Sequence, residues 1–166
     1  MIYLDVFKAL NRAKVKYVVV GGVAVILYGY ERFTKDLDLV IHLEAKNIDK
    51  LFDALEKAGY KPRVPVSKDQ FKDEKLRKKW QKEKGMLVFT FCHRDPPFKN
   101  IDVFINDPMP FKKIYEHRKN AVIEGVKIPL VDVEHLRILK ERANRPQDII
   151  DLRQLDEIIE FKDQKK

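Results

Sequence analysis

The chain has 166 residues, of which 45% are hydrophobic and 36% charged, and its formal net charge is +8. This length suits one domain that buries its own core, and a single cysteine excludes an internal disulfide. The longest apolar run, residues 17–30, is too short to span a bilayer. We expect a soluble, cytoplasmic protein without membrane contact, built as one domain over 1–166 with a core over 1–130 and C-terminal helices over 131–166.

Apolar periodicity predicts alternating helices and strands in the first part of the chain. In order, they are a helix over 2–15, a strand over 16–20, a glycine turn at 21–22, a helix over 23–30, a strand over 36–43 and a helix over 46–60. Asn favours helix starts and glycine favours helix ends. The pattern therefore predicts that Asn47 caps the last of these helices and that Gly59 ends it.

The second part of the chain reads as strands followed by helices. In order, they are strands over 85–93 and 99–107 joined by a proline-containing turn at 94–99, a short helix over 110–120, a small hairpin over 121–131, and helices over 132–145 and 146–161. Asp132 is the predicted cap of the first C-terminal helix, and Pro146 suits the first turn of the second. The order predicts a mixed α/β (α+β) fold with a sheet of about five strands flanked by helices and a C-terminal helix pair.

Residues 61–84, named here the basic segment, contain ten Lys or Arg and four acidic residues, so they carry +6 of the net charge of +8. A basic surface attracts polyanions because binding releases their counterions. Two interpretations fit the segment. It is either a partly helical, solvated surface, or a contact for RNA in which Phe71 and Trp80 stack on bases or anchor the segment to the core.

Two carboxylates interrupt the apolar strand DLDLVI. Strand side chains alternate between faces, so Asp36 and Asp38 share one face while the intervening leucines can face a core. Asp102 interrupts the later strand NIDVF in the same way. If the two strands are neighbours, the three carboxylates meet, and their repulsion favours a bound divalent cation. Mg²⁺, or Mn²⁺, held there would suit in-line nucleotidyl transfer with two metals. The alternative is a strand that simply reaches the surface.

The pair Gly21 and Gly22 ends one strand and opens a helix. Without Cβ atoms, the backbone N–H groups of such a pair can approach a phosphate, and a helix N-terminus adds a favourable field. The spacing of Gly21, Gly22 and Gly29 fits neither a Walker loop nor a dinucleotide-binding fingerprint. The alternative is a tight turn without a ligand.

Together, VVGG, a spacer, DLDL and the later IDVF resemble the nucleotidyltransferase superfamily typified by DNA polymerase β. The resemblance implies that fold, with metal binding by Asp36, Asp38 and Asp102. It also implies that Asp102 helps to deprotonate the attacking hydroxyl and that Gly21 and Gly22 face the phosphates of an NTP. Gly22 stands where many members have a serine, so a hydroxyl contact to phosphate is absent.

The stretches GYERFTKDLDL and HLRILKERANRPQDIIDLRQL look like the bacterial and archaeal branch that includes abortive-infection nucleotidyltransferase-like toxins. The further nucleotide-binding residues implied by that resemblance are Arg32, Thr34, Lys140, Arg145 and Asp148. Lys140 and Arg145 would reach the triphosphate, which needs cationic partners, while Asp148 and Asp151 would orient them. The branch also implies a toxin with an antitoxin partner. The alternative for the helix pair is a plain set of surface salt bridges.

The favoured hypothesis is an enzyme, a metal-dependent nucleotidyltransferase that transfers an NMP from an NTP to a hydroxyl acceptor. The basic segment favours RNA, for example the acceptor end of tRNA; a protein or a small molecule is a further acceptor class. Two alternatives belong to other classes: a catalytically inactive nucleotide- or RNA-binding module, and a structural partner in a larger complex. Strands that place Asp102 away from Asp36 and Asp38 would favour the inactive module.

Overall fold

The computed structural model describes residues 3–95 and 99–163, with side chains described up to residue 160. Its strands are β1 (Tyr17–Val20), β2 (Asp36–Ile41), β3 (Tyr60–Pro62), β4 (Val88–His93), β5 (Asn100–Phe104), β6 (Lys119–Ile123) and β7 (Val126–Leu130). Its helices are α1 (Leu4–Arg12), α2 (Gly21–Leu27), α3 (Ala45–Lys57), α4 (Lys68–Lys72), α5 (Glu74–Lys84), α6 (Phe111–His117), α7 (Val133–Ala143) and α8 (Pro146–Asp163).

The strands of the described residues form one mixed sheet in the order β3-β4-β5-β2-β1-β7-β6. β4 and β5 pair antiparallel, as the predicted hairpin requires. β2 pairs antiparallel with β1 on one side and parallel with β5 on the other. This parallel pair joins two segments that are far apart in the chain, and it lies at the centre of the sheet.

The sheet has seven strands, so the prediction of about five was too low. The short strand β3 adds an edge beside β4. On the other side, β7 pairs parallel with β1 through Val19 and Leu130, so the predicted hairpin over 121–131 becomes part of the main sheet. Periodicity indicates a hairpin, but it does not indicate which distant strand the hairpin will join, because that pairing is a long-range contact.

A large part of the core covers the face of the sheet opposite the acids. Leu37 and Leu39 of β2 and Val103 of β5 are fully buried there, as the alternation in these strands predicts. Helices α1 and α3 contact each other and bury apolar side chains such as Phe7 and Leu51 in the same cluster. Each fully buried side chain of this size contributes roughly 1.5–3 kcal/mol, so this face firmly sets the register of β2 and β5.

Two local predictions need correction. Helix α2 begins at Gly21 and not at residue 23, because β1 passes into it without an intervening turn. Asn47 does not cap α3; the cap position is Glu44, without a side-chain hydrogen bond. Asn47 is buried, its Nδ2 donates to the carbonyl oxygens of Lys16 and His42 over 3.0 and 2.9 Å, and its Oδ1 accepts from the Lys16 N–H over 2.7 Å. It therefore joins α3 to the residues before β1.

The basic segment is more ordered than a partly helical surface, because it forms β3, α4 and α5. Phe71 is fully buried, so it anchors the segment to the core and cannot stack on a base. Arg77 is also buried, and its Nη1 donates to the carbonyl oxygens of Phe71 and Lys72 over 2.6 and 2.9 Å. Lys72 in turn pairs with Asp49 of α3 over 2.7 Å. Part of the basic charge thus serves the fold.

The C-terminal helix pair is present as predicted. The Asp132 side chain accepts a hydrogen bond from the His135 N–H over 3.1 Å and caps α7, and Pro146 is the first residue of α8. Gly59 follows α3 with φ +88°, as expected for a helix end. The turn predicted at 94–99 lies partly outside the described residues. No helix of the described residues is both long and apolar enough to cross a membrane.

Candidate active site

The parallel pairing of β2 and β5 brings the three acids onto one face of the sheet. In this register Asp38 lies opposite Asp102, and Asp36 lies opposite Asn100. The intervening Leu37 is fully buried on the other face. The prediction that the two acid-bearing strands are neighbours is therefore confirmed, and the condition that would favour the inactive module is not met.

Uncharged donors hold two of the three carboxylates. Asn100 Nδ2 donates to Asp36 Oδ1 over 3.0 Å, and Thr90 Oγ1 on β4 donates to Asp102 Oδ1 over 2.6 Å. The Tyr3 hydroxyl donates to the Asn100 carbonyl oxygen over 2.9 Å. Burial and the charge of Asp36 raise the pKa of Tyr3 to about 12, so this hydroxyl stays neutral. These contacts orient the acids without neutralising them.

Charge repulsion is concentrated at Asp38. Burial raises the pKa of Asp38 to about 7, and the charges of Asp102 and Asp36 add to the effect. The charge of Arg145 and a hydrogen bond from the Gly22 N–H act in the opposite direction. Burial also raises the pKa of Asp102, to which Asp36 adds and which the Thr90 hydrogen bond opposes. The acids thus carry negative charge that a bound cation would stabilise.

The glycine pair lies beneath Asp38 at the joint between β1 and α2. Gly21 has φ +66°, and a Cβ placed on it would lie 2.0 Å from Asp38 Oδ2. A Cβ on Gly22 would lie 2.7 Å from Thr34 Oγ1 and 3.2 Å from Arg32 Cζ. Both positions require glycine because other side chains of this chain approach them closely, and Gly21 also requires it because of its left-handed backbone.

A buried ion-pair network lies beside the acids and joins three elements. Lys140 of α7 is 3% exposed, and its Nζ contacts Asp148 Oδ1 at 2.9 Å and Asp151 Oδ2 at 2.5 Å, both on α8. Arg32, from the residues between α2 and β2, also pairs with Asp151, which is fully buried. Arg145 Nε donates to Asp148 Oδ2 over 2.7 Å. The alternative of a plain surface salt-bridge set is therefore wrong.

This network has one more cation than anions, since Arg32, Lys140 and Arg145 face two carboxylates. Although burial acts in the opposite direction, hydrogen bonds from Arg145 and Lys140 lower the pKa of Asp148, which therefore stays ionised. The hydrogen bond to Asp148 raises the pKa of Arg145. The Arg145 side chain is 72% exposed, so the surplus positive charge is accessible to a ligand.

A cavity of about 470 Å³ adjoins the acids. Its lining includes six of the predicted residues, namely Gly21, Asp38, Asp102, Lys140, Arg145 and Asp148. Beyond Asp102 along β5 the lining continues with Phe104 and Asn106, and it also includes Gln81, Leu87, Val88, Asp107, Leu139 and Arg142. Arg32 and Thr34 lie against Gly22. Asp36 is outside the lining but shares the face of Asp38, so the predicted residues lie at the cavity, at the glycine joint or on the adjoining face of β2.

A divalent cation fits the donor chemistry of this site. In residues 3–95 and 99–163, no group of three or more His, Cys, Asp or Glu side chains forms a ready-made metal cage. Mg²⁺ does not need one, because it is commonly held by one or two carboxylates together with waters and substrate phosphates. Asp36, Asp38 and Asp102 supply carboxylate oxygens on one face, and the pKa of Asp38 is raised by burial and then by the charges of the other two acids, which a bound cation would offset.

Several residues of this region were missed by reasoning from the sequence. Thr90 and Asn100 orient the acids, and Arg63, whose charge lowers the pKa of Asp102, lies close enough to influence it. Gln81 and Asn106 line the cavity. A polar residue within the apolar run VFTFC was a usable signal for Thr90, whereas nothing local distinguished Gln81 within a helix of charged residues.

Residues 1–165 match a family described as "Nucleotidyl transferase of unknown function (DUF2204)". The chain belongs to this family. The nucleotidyltransferase superfamily, implied by the glycine pair and the three acids, is thereby confirmed. No curated protein matches the sequence significantly.

Solved structures with the same fold include other nucleotidyltransferases. The lincosamide antibiotic adenylyltransferase LnuA, bound to lincomycin, is similar with a TM-score of 0.58 and 19% identity, covering 90% of each chain. ANT(2'')-Ia in complex with adenylyl-2''-tobramycin has a TM-score of 0.59 and 13% identity, covering 93% of this chain and 85% of its own. An antigenic nucleotidyltransferase-like protein from Paracoccidioides brasiliensis has a TM-score of 0.59 and 22% identity, covering 93% of this chain and 72% of its own. At these low identities, the likeness to the solved structures shows the fold of the chain alone.

Proposed function

We propose that the protein transfers an NMP from a metal-bound NTP to a hydroxyl acceptor and releases pyrophosphate. The observation that carries this proposal is the register that sets Asp38 opposite Asp102, with Asp36 on the same face and a partly exposed cationic network beside them. Carboxylates for metal ions next to cations for a triphosphate are the combination that in-line nucleotidyl transfer needs.

Asp36, Asp38 and Asp102 would hold Mg²⁺ or Mn²⁺. When bound, the metal ion supplies charge stabilisation to the attacking and leaving oxygens. Asn100 and Thr90 keep Asp36 and Asp102 in position through their hydrogen bonds. The resemblance implies that Asp102 also helps to accept the proton of the attacking hydroxyl.

The chain's cations would bind the leaving group. The acceptor oxygen forms a bond to the α-phosphorus while the bond from that phosphorus to the bridging oxygen of the β-phosphate breaks, so pyrophosphate leaves with added negative charge. Arg145, which lines the cavity and has an exposed side chain, would contact it directly. Lys140 lines the cavity but is held by two carboxylates, so it contributes from a fixed position. Gly21 and Gly22 complete the proposed phosphate side.

RNA is the acceptor class that the charge distribution favours. The exposed lysines of α5 and Arg63 lie on the basic segment, and the charge of Arg63 acts on Asp102. A polyanionic strand could therefore bind along the segment with its terminal hydroxyl near the acids. A toxin role with an antitoxin partner and a cytoplasmic location rest on the sequence alone and stay predictions.

A small-molecule acceptor is the second candidate. The printed names of two structures with this fold refer to antibiotic adenylylation, namely a lincosamide adenylyltransferase and a complex with adenylyl-tobramycin. The fold is therefore compatible with hydroxyl acceptors much smaller than RNA.

The test incubates the protein with Mg²⁺, each NTP radiolabelled at its α-phosphate, and total RNA, beside the Asp36→Ala/Asp38→Ala double variant. We expect label in RNA with the wild type and none with the variant. A matched control, Asp69→Ala, removes an acid on the surface of α4 and should leave transfer unchanged.

Two results would count against the proposal. Transfer that survives in the double variant would remove the acids from the reaction. Binding of Mg²⁺–NTP without transfer to RNA, to the protein or to a small-molecule extract would favour the inactive binding module. Label in the small-molecule fraction alone would keep the reaction and replace the acceptor.

A further inference from the structure

The part of the cavity beyond Asp102 along β5, named here the amide slot, is separate from the acids themselves but belongs to the same cavity. Val88 of β4 and Phe104 of β5 are register partners, one step along the same face from Thr90 and Asp102, and both line it. Leu139 of α7 adds an apolar side chain to the lining, and Gln81 of α5 and Asn106 after β5 add amide groups. Asp38 and Arg145 line the same cavity.

The size of the cavity decides how much can enter. Cavities of roughly 300–1,000 Å³ hold one drug-sized ligand, and this one measures about 470 Å³ including the part beside the acids. It is therefore large enough for one ligand of nucleotide size. A ligand whose triphosphate lies at Arg145 has its other end in the amide slot.

The walls of the slot suit a flat, uncharged ring. Val88, Phe104 and Leu139 present apolar side chains, so the slot offers stacking and burial to a planar group. Two charged residues, Asp107 and Arg142, also line the cavity, and Arg142 Nη1 donates to the Pro108 carbonyl oxygen over 2.8 Å. The Asp107 carboxylate disfavours phosphate groups here, whereas a nucleobase would bury an apolar face.

The polar part carries the hydrogen-bonding groups that read a base edge. Asn106 Nδ2 donates to Gln81 Oε1 over 2.6 Å and lies 3.5 Å from the Arg77 carbonyl oxygen. Among the described residues, these contacts leave the Gln81 amide NH₂ as a donor group and the Asn106 side-chain oxygen as an acceptor, each without a hydrogen bond to the protein. Side-chain amides of Asn and Gln recognise bases through such pairs.

We propose that the amide slot is the nucleobase subsite and that Gln81 and Asn106 select the base of the NTP. The inference rests on the proposed function and assigns a role to the basic segment, because α5 supplies Gln81 and is held in place by buried Arg77. The basic segment contributes selectivity through an uncharged side chain, in addition to any attraction of polyanions.

The test measures dissociation constants by calorimetry for ATP, GTP, CTP, UTP and inorganic tripolyphosphate, each with Mg²⁺. For the wild type we expect a preference among the four NTPs of about tenfold or more. Gln81→Ala and Asn106→Ala should reduce that preference, while affinity for tripolyphosphate stays within about twofold. Leu139→Trp fills the slot, so it should weaken the binding of the preferred NTP by about tenfold or more without weakening the binding of tripolyphosphate.

The controls are Asn120→Ala and Val122→Trp, both at exposed positions of β6, and we expect wild-type constants for both. Gln81 is itself exposed, so its alanine variant should fold even if Leu139→Trp does not. Unchanged dissociation constants for the NTPs in all slot variants would overturn the proposal that the slot binds the base. A parallel loss of NTP and tripolyphosphate would also overturn it, since the slot would then act through the phosphate side. A wild type that binds no NTP and no tripolyphosphate would instead reject the proposed function, and this inference with it.

Discussion

Asp38 combines three features that rarely occur at one strand residue: partial burial, two neighbouring carboxylates and a backbone N–H donor. Its pKa of about 7 lies above the ordinary value of 3.8, mainly because of burial. The folded protein therefore keeps a proton on Asp38 at pH values where the unfolded chain has lost it. The contribution of Asp38 to the free energy of unfolding is therefore fully present below about pH 4, and it is lost as the pH rises through about 7.

The first prediction concerns this pH dependence. In the metal-free protein, the shift corresponds to about 4 kcal/mol of lost stability between these pH limits, and Asp38→Asn should remove most of that slope. Thermal unfolding in EDTA from about pH 4 to about pH 8 measures it. Asp5→Asn, an exposed acid of α1, serves as the control and should keep the wild-type slope. Equal slopes in the wild type and Asp38→Asn would contradict the burial of charge at this residue.

A second prediction concerns Gly21. Gly21→Ala combines the strain of φ +66° with a clash against Asp38, so we expect a loss of about 2–4 kcal/mol of stability. Gly85→Ala is a matched control, because Gly85 has φ +62° and no atom within 4 Å of an added Cβ, and it should cost about 1 kcal/mol. Urea unfolding measures both variants. Similar losses of stability in the two variants would show that the Asp38 side chain moves away from the added methyl group without an energetic cost.

At the scale of elements, Asp151 joins parts of the chain that are otherwise separate. It is fully buried on α8 and accepts from Arg32, from Lys140 over 2.5 Å, and from Gln147 Nε2 over 3.1 Å. Since Arg32 also lies against Gly22, Asp151 couples the C-terminal helix pair to the glycine joint. The helix pair is thereby part of the candidate site and not an appendage.

The third prediction follows from that coupling. Asp151→Asn leaves Arg32 and Lys140 with weakened partners in a buried place, so we expect a loss of about 3–5 kcal/mol in urea unfolding. Asp156→Asn on the same helix breaks an exposed pair with Arg137, 3.1 Å apart, and should cost less than about 1 kcal/mol. Equal stability of the two variants would mean that the buried network relaxes freely.

At the scale of the whole molecule, the net charge of +8 is concentrated in the basic segment, but its residues differ in role. Arg77 is buried, and Lys68, Lys72 and Lys78 form ion pairs. Lys75, Lys79, Lys82 and Lys84 are exposed on α5. These exposed lysines are the charges of α5 available to a polyanion, and the first three lie within its helical turns.

The fourth prediction tests that division. If RNA binds along the segment, replacing Lys75, Lys79 and Lys82 by Gln should reduce the slope of log affinity against log salt by about 2, since each single-strand phosphate contact contributes about 0.7. Replacing Lys112, Lys113 and Lys119 by Gln removes the same charge from α6 and β6 and should change the slope much less. Filter binding with total RNA over a salt series measures both. An equal change in both triple variants would indicate non-specific attraction.

Much of the local structure followed from the sequence. The alternation in DLDLVI and NIDVF placed the acids on one face and the leucines in the core, because strand geometry depends on neighbouring residues alone. Asp132 and Pro146 marked helix starts for reasons of the same short range. Asn47 looked like a helix cap by these rules, but its side chain found partners at Lys16, outside its helix.

The sequence by itself determined which residue types could form a metal and phosphate site and on which face of each strand they lie. Only the tertiary structure decided that Asp38 lies opposite Asp102, that Arg32 meets Asp151, and that the basic segment places Gln81 at a cavity. Local periodicity depends on backbone geometry within a few residues. Strand order, buried ion pairs and cavity walls depend on how the whole core packs, and such contacts between distant segments leave no local pattern to read.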